Sequence, residues 1–228
     1  MARHGKKFLA AQNQIEKRPY PLLEAIELLK KIRYERFDAT LELSMDLNID
    51  PRQANQLVRG TVTLPHGTGK AVRILALVPP DKEKEAQAAG ADHVGLDDYL
   101  AKIEQGWLDI DVVVCTPDVM PKVARLGKIL GPRGLMPNPK SGTVAPDITR
   151  AIRELKAGKI EVRNDKTGVV HVPFGKASFD SQKLRENAQE VIRTMEALRP
   201  QGVKGNYILS VHVSTTMSPA ILIDKNRL

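Results

Sequence analysis

Cysteine occurs once in the 228 residues, at Cys115. That excludes an internal disulfide framework and, with no Cys/His cluster nearby, a structural zinc site; a reducing compartment fits. Aromatic residues are also scarce at 4%, with one Trp and four each of Tyr and Phe. Such a chain does not hold nucleic acid mainly by stacking bases on many aromatic platforms, so any nucleic acid meets mostly charge, backbone and shape. No apolar run approaches the ~18 residues that span a bilayer. The stretch from Phe8 to Ala11 is too short for the core of a signal peptide. The expectation is a soluble, cytoplasmic protein with no membrane partner.

What is present is ordinary for a folded chain, with 42% hydrophobic and 27% charged residues, enough for one large or two small domains. The formal charge is +8, from 35 Lys+Arg against 27 Asp+Glu. An excess of this sign favours a polyanionic partner, either nucleic acid or an anionic surface.

The hydrophobic pattern changes twice along the chain. Residues 6 to 18 read as a short basic helix or arm. Pro21 then opens a helix with Leu22, Ala25, Ile26 and Leu29 at helical spacing. From Thr40 the period becomes two: Leu41, Leu43, Met45 and Leu47 alternate with Glu42, Ser44, Asp46 and Asn48, a half-buried strand. Residues 57 to 64 read as another strand. The middle has continuous apolar runs at 72 to 78 and 112 to 115. These alternate with helices at 81 to 89, 97 to 105 and 117 to 126, the grammar of parallel βαβ units buried on both faces. A long loop at 131 to 145 and a helix at 146 to 157 follow. Beyond Gly158 the alternation returns, as a predicted hairpin from Ile160 to Val172 about the turn 164 to 168, a helix at 181 to 198 and a strand at 206 to 216.

The pattern predicts an α/β protein in which a domain at 66 to 158 is inserted into one built from 1 to 65 and 159 to 228. Charge separates the same segments. The middle holds 13 Lys+Arg and 12 Asp+Glu, whereas the flanks hold 22 and 15. Nearly all the positive excess lies at the two chain ends, where a polyanion would bind.

Few motifs carry chemistry. GPRGLMPNPKSGT, 131 to 143, is a stiff Gly/Pro loop presenting Arg133 and Lys140; it suits phosphate contact or, equally, a fixed connector. LPHGTGKA, 64 to 71, fails as a phosphate-binding loop, because Leu64 and Ala71 stand where the motif needs Gly and Ser/Thr. No GxGxxG follows a strand, and the five histidines have no metal-ligand spacing. Cys115 reads as an inert buried thiol, and Asp97, Asp98, Asp109 and Asp111 as capping carboxylates. No nucleophile, base and orienter come together. Neither an enzyme nor a cofactor nor a metal site is expected. Phe37, beside Arg36 between a helix and a strand, reads as a core residue or as an exposed face for a base or ribose. STTMSP, 214 to 219, reads as strand-end filler or as a tip that packs on sugars.

Together the segments RFDATLEL (36 to 43), IDPRQANQLVRGTVTLPHGTGK (49 to 70), CTPDVM (115 to 120), LGKILGPRGLMPNPKSGTV (126 to 144), KAGKIEVRNDKTGVVH (156 to 171) and VSTTMSP (213 to 219) resemble the L-one family of large-subunit ribosomal proteins, in its bacterial or organellar type. The resemblance implies an α/β sandwich built from both termini, with an inserted Rossmann-like three-layer α/β/α domain. It implies a protein, monomeric when free, that binds large-subunit rRNA at the mobile stalk beside the tRNA exit site. Assistance in release of deacylated exit-site tRNA and repression of its own operon mRNA are implied as well. Carried over to this chain, the RNA face comprises Arg36, Phe37, Thr40, Glu42, Ser210, Thr216 and Met217, with Arg52, Lys166 and Thr167 as further contacts. Arg133 and Lys140 stand for a second RNA or tRNA contact. The family usually has Gly after the Thr-Met pair, where this chain has Ser218; a serine fits there only at negative φ. A translational regulator outside the ribosome would use the same face, and a nucleotide-dependent enzyme would need the phosphate cradle that is missing.

Overall fold

The computed structural model describes residues 5–225. In chain order the elements are α1 (Lys6–Gln12), α2 (Leu22–Ile32), β1 (Thr40–Leu47), β2 (Arg59–Thr63), β3 (Ile74–Leu77), α3 (Glu83–Ala88), β4 (His93–Gly95), α4 (Asp97–Glu104), β5 (Val112–Cys115), α5 (Met120–Ala124), α6 (Gly127–Leu130), α7 (Ile148–Lys156), β6 (Lys159–Arg163), β7 (Val169–Lys176), α8 (Ser181–Ala197), β8 (Ile208–Thr215) and β9 (Ile221–Leu222). The chain is mixed α/β with three separate sheets. It divides into two compact units, one holding the chain up to Gly69 and again from Glu161, the other Lys70–Ile160.

The terminal unit is organised by β1, which lies between β7 and β8 in a four-stranded sheet ordered β7-β1-β8-β9. All three pairings are antiparallel. The period-two pattern of β1 buries Leu41, Leu43, Met45 and Leu47. Their face is packed by α2 and α8, through Ala25, Ile26 and Leu29 of the first and Leu184, Ala188, Val191, Ile192 and Met195 of the second. Thr40, Glu42, Ser44 and Asp46 point the other way and stay partly exposed. Buried within the helical layer is Asn187, whose amide is fully used. Its oxygen accepts the His66 N–H at 3.0 Å, and its nitrogen donates to the carbonyls of Gly67 and Phe174 at 3.0 and 2.9 Å.

Those bonds explain why residues 66–69, assigned by the hydrophobic pattern to the inserted segment, stay with the terminal unit. Gly69 adds to them: at φ 73° it lies so close that a Cβ would meet the Phe179 ring at 2.9 Å.

The expected hairpin from Ile160 to Val172 closes at its turn, where the Asp165 N–H donates to the Val169 carbonyl at 2.8 Å, but its arms do not pair further. β6 pairs with β2 in a sheet of its own while β7 joins β1, and only one bridge, Asn164 to Val170, links the two arms. Asn164 draws β6 away: its side chain accepts the Val58 N–H at 2.9 Å, and its own N–H donates to the Val58 carbonyl at 3.2 Å. Gly168 then starts β7 at φ 92°, where a Cβ would press on the Leu47 carbonyl at 3.3 Å.

In the other unit β4, β3 and β5 form a parallel sheet in that order. Both faces are covered. Ile74, Ala76 and Val114 meet Ala86 of α3 and Ile148 and Ile152 of α7. Leu75, Leu77, Val113 and Cys115 meet Ile103, Val123 and Leu130 from α4, α5 and α6. The last of these, a single turn at Gly127–Leu130, was not legible in the residue pattern. Asp109 and Asp111 are not caps. Asp111 binds Lys70 at 2.6 Å and Arg73 at 3.1 Å, Arg73 also reaches Asp109, and the Lys70 bond leads in holding the Asp111 carboxyl at about 2.

Replacing Asn187 by Leu keeps the branching of the side chain and strands three polar partners. We expect a loss of about 3 kcal/mol in urea unfolding, and a loss below about 1 kcal/mol would show that the amide bonds are dispensable. Burial pushes the Cys115 thiol up to about 11. It should therefore resist a thiol reagent at pH 8 in the native protein and react at once on unfolding; immediate native labelling would refute its burial.

Candidate nucleic-acid interface

The second face of the β7-β1-β8 sheet is lined by polar rows that cross the strands. Glu42 lies between Pro173 and Ser214, Ser44 between His171 and His212, and Asp46 between Val169 and Ser210. Ser44 Oγ and His171 Nδ1 are 2.9 Å apart. Glu42, Ser44 and Asp46 on this face stay partly exposed, whereas the opposite side chains of β1 are buried.

At one end of this face, chain segments far apart in sequence are tied together. The Thr40 N–H donates to Thr216 Oγ1 at 3.1 Å, the Thr216 N–H returns to the Thr40 carbonyl at 3.1 Å, and Lys176 Nζ donates to Thr40 Oγ1 at 2.8 Å. The Tyr34 hydroxyl donates to the Met217 carbonyl at 2.6 Å. Thr215 Oγ1 donates to Glu35 Oε1 at 2.6 Å. These bonds leave two large apolar side chains in solvent, Phe37 at 51% exposed and Met217 at 50%. Phe37 is therefore not a core residue. Arg36 beside it is exposed and has no ion-pair partner among the described residues.

The predicted contacts fall into two groups. Arg36, Phe37, Thr40, Glu42, Thr216 and Met217 gather at this end. Ser210 pairs with Asp46 at the far end of β1, roughly 20 Å away at 3.4 Å per residue. Lys166 and Thr167 lie in the turn leading to Val169, which also pairs with Asp46, and Arg52 follows Asp50, whose carboxylate accepts its N–H at 3.1 Å. Lys166 and Arg52 are exposed. Thr167 is largely committed inside its turn, with its hydroxyl and N–H both donated to Asp165 at 2.7 Å; the hydroxyl leads in holding that carboxyl below its ordinary value.

A family model described as "Ribosomal protein L1p/L10e family" matches residues 29–219. The chain belongs to this family. It is 54% identical over 228 residues to the large ribosomal subunit protein uL1 of Christiangramia forsetii, covering 100% of this chain and 98% of that one. Its identity to the same protein of Flavobacterium johnsoniae is 55% over 225 residues, with 98% of each chain covered. For that of Porphyromonas gingivalis it is 52% over 225 residues, covering 98% and 97%. Membership makes the chain a structural protein and not an enzyme.

Three partners of this family member's open face escaped the sequence reading. Lys176, Tyr34 and Glu35 hold the residues that were picked out, and their only signal was adjacency to Arg36-Phe37 or to the end of β7. Ser218 meets its condition: among the described residues no non-glycine has positive φ. Arg133 and Lys140 belong to the other unit, and both are exposed. Their loop is ordered by Asn138, whose side chain accepts the Lys140 N–H at 2.8 Å, and by the pairing of Val144 with Cys115.

Burial works to raise the Glu35 carboxyl. The bonds from the Thr215 hydroxyl and from the N–H groups of Glu35 and Tyr34, with Arg33 nearby, outweigh it and leave the group below its ordinary value. A lowered carboxyl stabilises the fold above the unfolded value of about 4.5, and that contribution is lost as pH falls through the folded one. Because the group is only partly buried, Glu35→Ala should cost at most about 1 kcal/mol at pH 7. The difference from the parent should close in acid; a gap constant from pH 7 to pH 3 would contradict this assignment.

Proposed function

We propose that the open face of the terminal unit binds one folded segment of large-subunit ribosomal RNA, so that the protein works as a ribosome-bound scaffold. The observation that carries the reading is the corner where Phe37, Thr216 and Met217 stand exposed on a hydrogen-bonded frame, in the unit with most of the excess positive charge. Exposed apolar groups of this size beside hydroxyls and Arg36 suit riboses and unstacked bases, which a single-stranded or irregular RNA offers and a duplex hides. Arg36, Arg52, Lys166 and Lys176 supply the salt-dependent attraction to phosphates. Thr40, Glu42, Ser210 and Thr216 offer hydroxyl and carboxylate groups for 2′-hydroxyls and base edges. The relatives' names place those proteins in the large subunit, and the residues of the RNA face resemble the family's.

On this reading the RNA is that of the mobile stalk beside the tRNA exit site, and the protein assists departure of deacylated tRNA. The Arg133 and Lys140 loop is the candidate for a second RNA or tRNA contact. A messenger of the protein's own operon with a similar fold would occupy the same face and be repressed. The free protein is a monomer in the cytoplasm. Among the described residues no helix is long and apolar enough to cross a membrane.

Thr216→Ala and Met217→Asp should each weaken filter binding of a stalk transcript about tenfold or more, the scale of ~1.4 kcal/mol, with melting temperature little changed. Unaltered affinity in both variants would overturn the placement of the face. Recovery of the protein with free messenger but never with large subunits on sedimentation would favour the extra-ribosomal regulator.

A further inference from the structure

β8 runs on past the end of β9, and its edge has to be closed by something else. The ladder between them ends at Val213 opposite Ile221, and Ile223 donates to the Val211 carbonyl at 2.8 Å, so residues 211 and 213 turn their main chain toward β9. Thr215 is next in that series and faces no strand there. Its N–H is taken by the Ser218 side chain, with N to Oγ at 2.8 Å. The Ser218 hydroxyl in turn donates a hydrogen bond to the Pro219 carbonyl at 3.1 Å, and the Ser218 N–H closes the turn on the Thr215 carbonyl at 3.2 Å. Residues 215 to 218 thus form a four-residue turn closed twice, once by main chain and once by the serine hydroxyl. Thr216 and Met217 occupy its two central positions.

The rest of the turn is fastened from the other side. Thr215 Oγ1 is held by Glu35, the Met217 carbonyl by Tyr34, and Thr216 by Thr40. The Met217 side chain projects from this frame and is half exposed to solvent. An unpaired, partly buried N–H at Thr215 would either seek water or pull the turn open, and in both cases the tip would sample several conformations.

We propose that Ser218 is a positioning residue: its hydroxyl stands in for the missing strand at the β8 edge and pre-sets the Thr216–Met217 tip for RNA. The inference rests on the reading of this face as an RNA site and names the group that makes the site rigid. Serine here gives up the freedom that glycine would allow and replaces it with a bond that fixes the turn before RNA arrives. Less ordering is then left to be done on binding.

The test compares Ser218→Ala, Ser218→Gly and Ser218→Thr in the full chain, with a stalk transcript as probe. Alanine and glycine should weaken binding about five- to tenfold, the scale of one lost hydrogen bond. Threonine, which keeps the hydroxyl, should restore most of the affinity. The dependence of affinity on salt should be the same in all four proteins, because no phosphate contact changes. Amide exchange at Thr215 should accelerate in the alanine and glycine variants, and melting temperatures should stay close together. A glycine variant that binds as tightly as the parent, or more tightly, would overturn the inference. If Thr216→Ala and Met217→Asp also bind normally, the RNA face itself is misplaced, which is a separate failure.

Discussion

The terminal unit depends on the two-sided pattern of β1. Four apolar side chains, Leu41, Leu43, Met45 and Leu47, enter the core against α2 and α8, and each fixes the direction of the polar residue beside it. Burial of such side chains contributes about 1.5–3 kcal/mol apiece, so the register of the sheet is strongly specified. A slip of one residue would bring Glu42, Ser44 and Asp46 into the core and expose the leucines. The open polar face is the necessary other side of that core.

Rigidity at the corner comes from hydroxyl groups and one carboxylate instead of further apolar packing. Thr215, Thr216, Ser218 and Tyr34 each spend a side-chain hydrogen bond on the backbone or on Glu35. These bonds cross 176 to 183 residues of chain, except that of Ser218, which spans three. Apolar groups fully used in a core could not also meet a ligand. A polar frame leaves Phe37 and Met217 free to do so.

Local period made much of this fold readable. β1 and α8 follow from alternation and from the spacing of Leu184, Ala188, Val191 and Met195, because both elements bury one face against a large partner. The parallel sheet was visible in the apolar runs within 72 to 78 and 112 to 115 for the complementary reason, burial on two faces. The fate of β6 was not visible. Its alternation and the Gly168 turn are those of a hairpin, and the decision lies with Asn164 and Val58, 106 positions apart. Phe37 was ambiguous for a similar reason: a lone aromatic beside a strand is buried or exposed according to what folds over it. The residues of the proposed RNA face were named through family likeness. Their separation into two groups along β1 and the binding of the Thr167 hydroxyl by Asp165 emerge only from the pairing of strands.

That separation bears on which nucleic acid the face can accept. Basic groups stand at its two ends, Arg36 and Lys176 at one and Arg52 and Lys166 at the other, and a carboxylate stands near each, Glu42 by the first pair and Asp46 by the second, about 14 Å apart at 3.4 Å per residue. A duplex presents phosphates at regular short intervals and would bring some of them against these carboxylates, where like charges repel. A folded RNA that lays phosphates on the basic groups and turns hydroxyl or amino groups toward Glu42 and Asp46 would meet acceptors there instead. On the proposed reading, then, selection against uniform helices comes from the acidic pair as much as attraction comes from the basic ends. The acidic pair is held in place by the same alternation that builds the core.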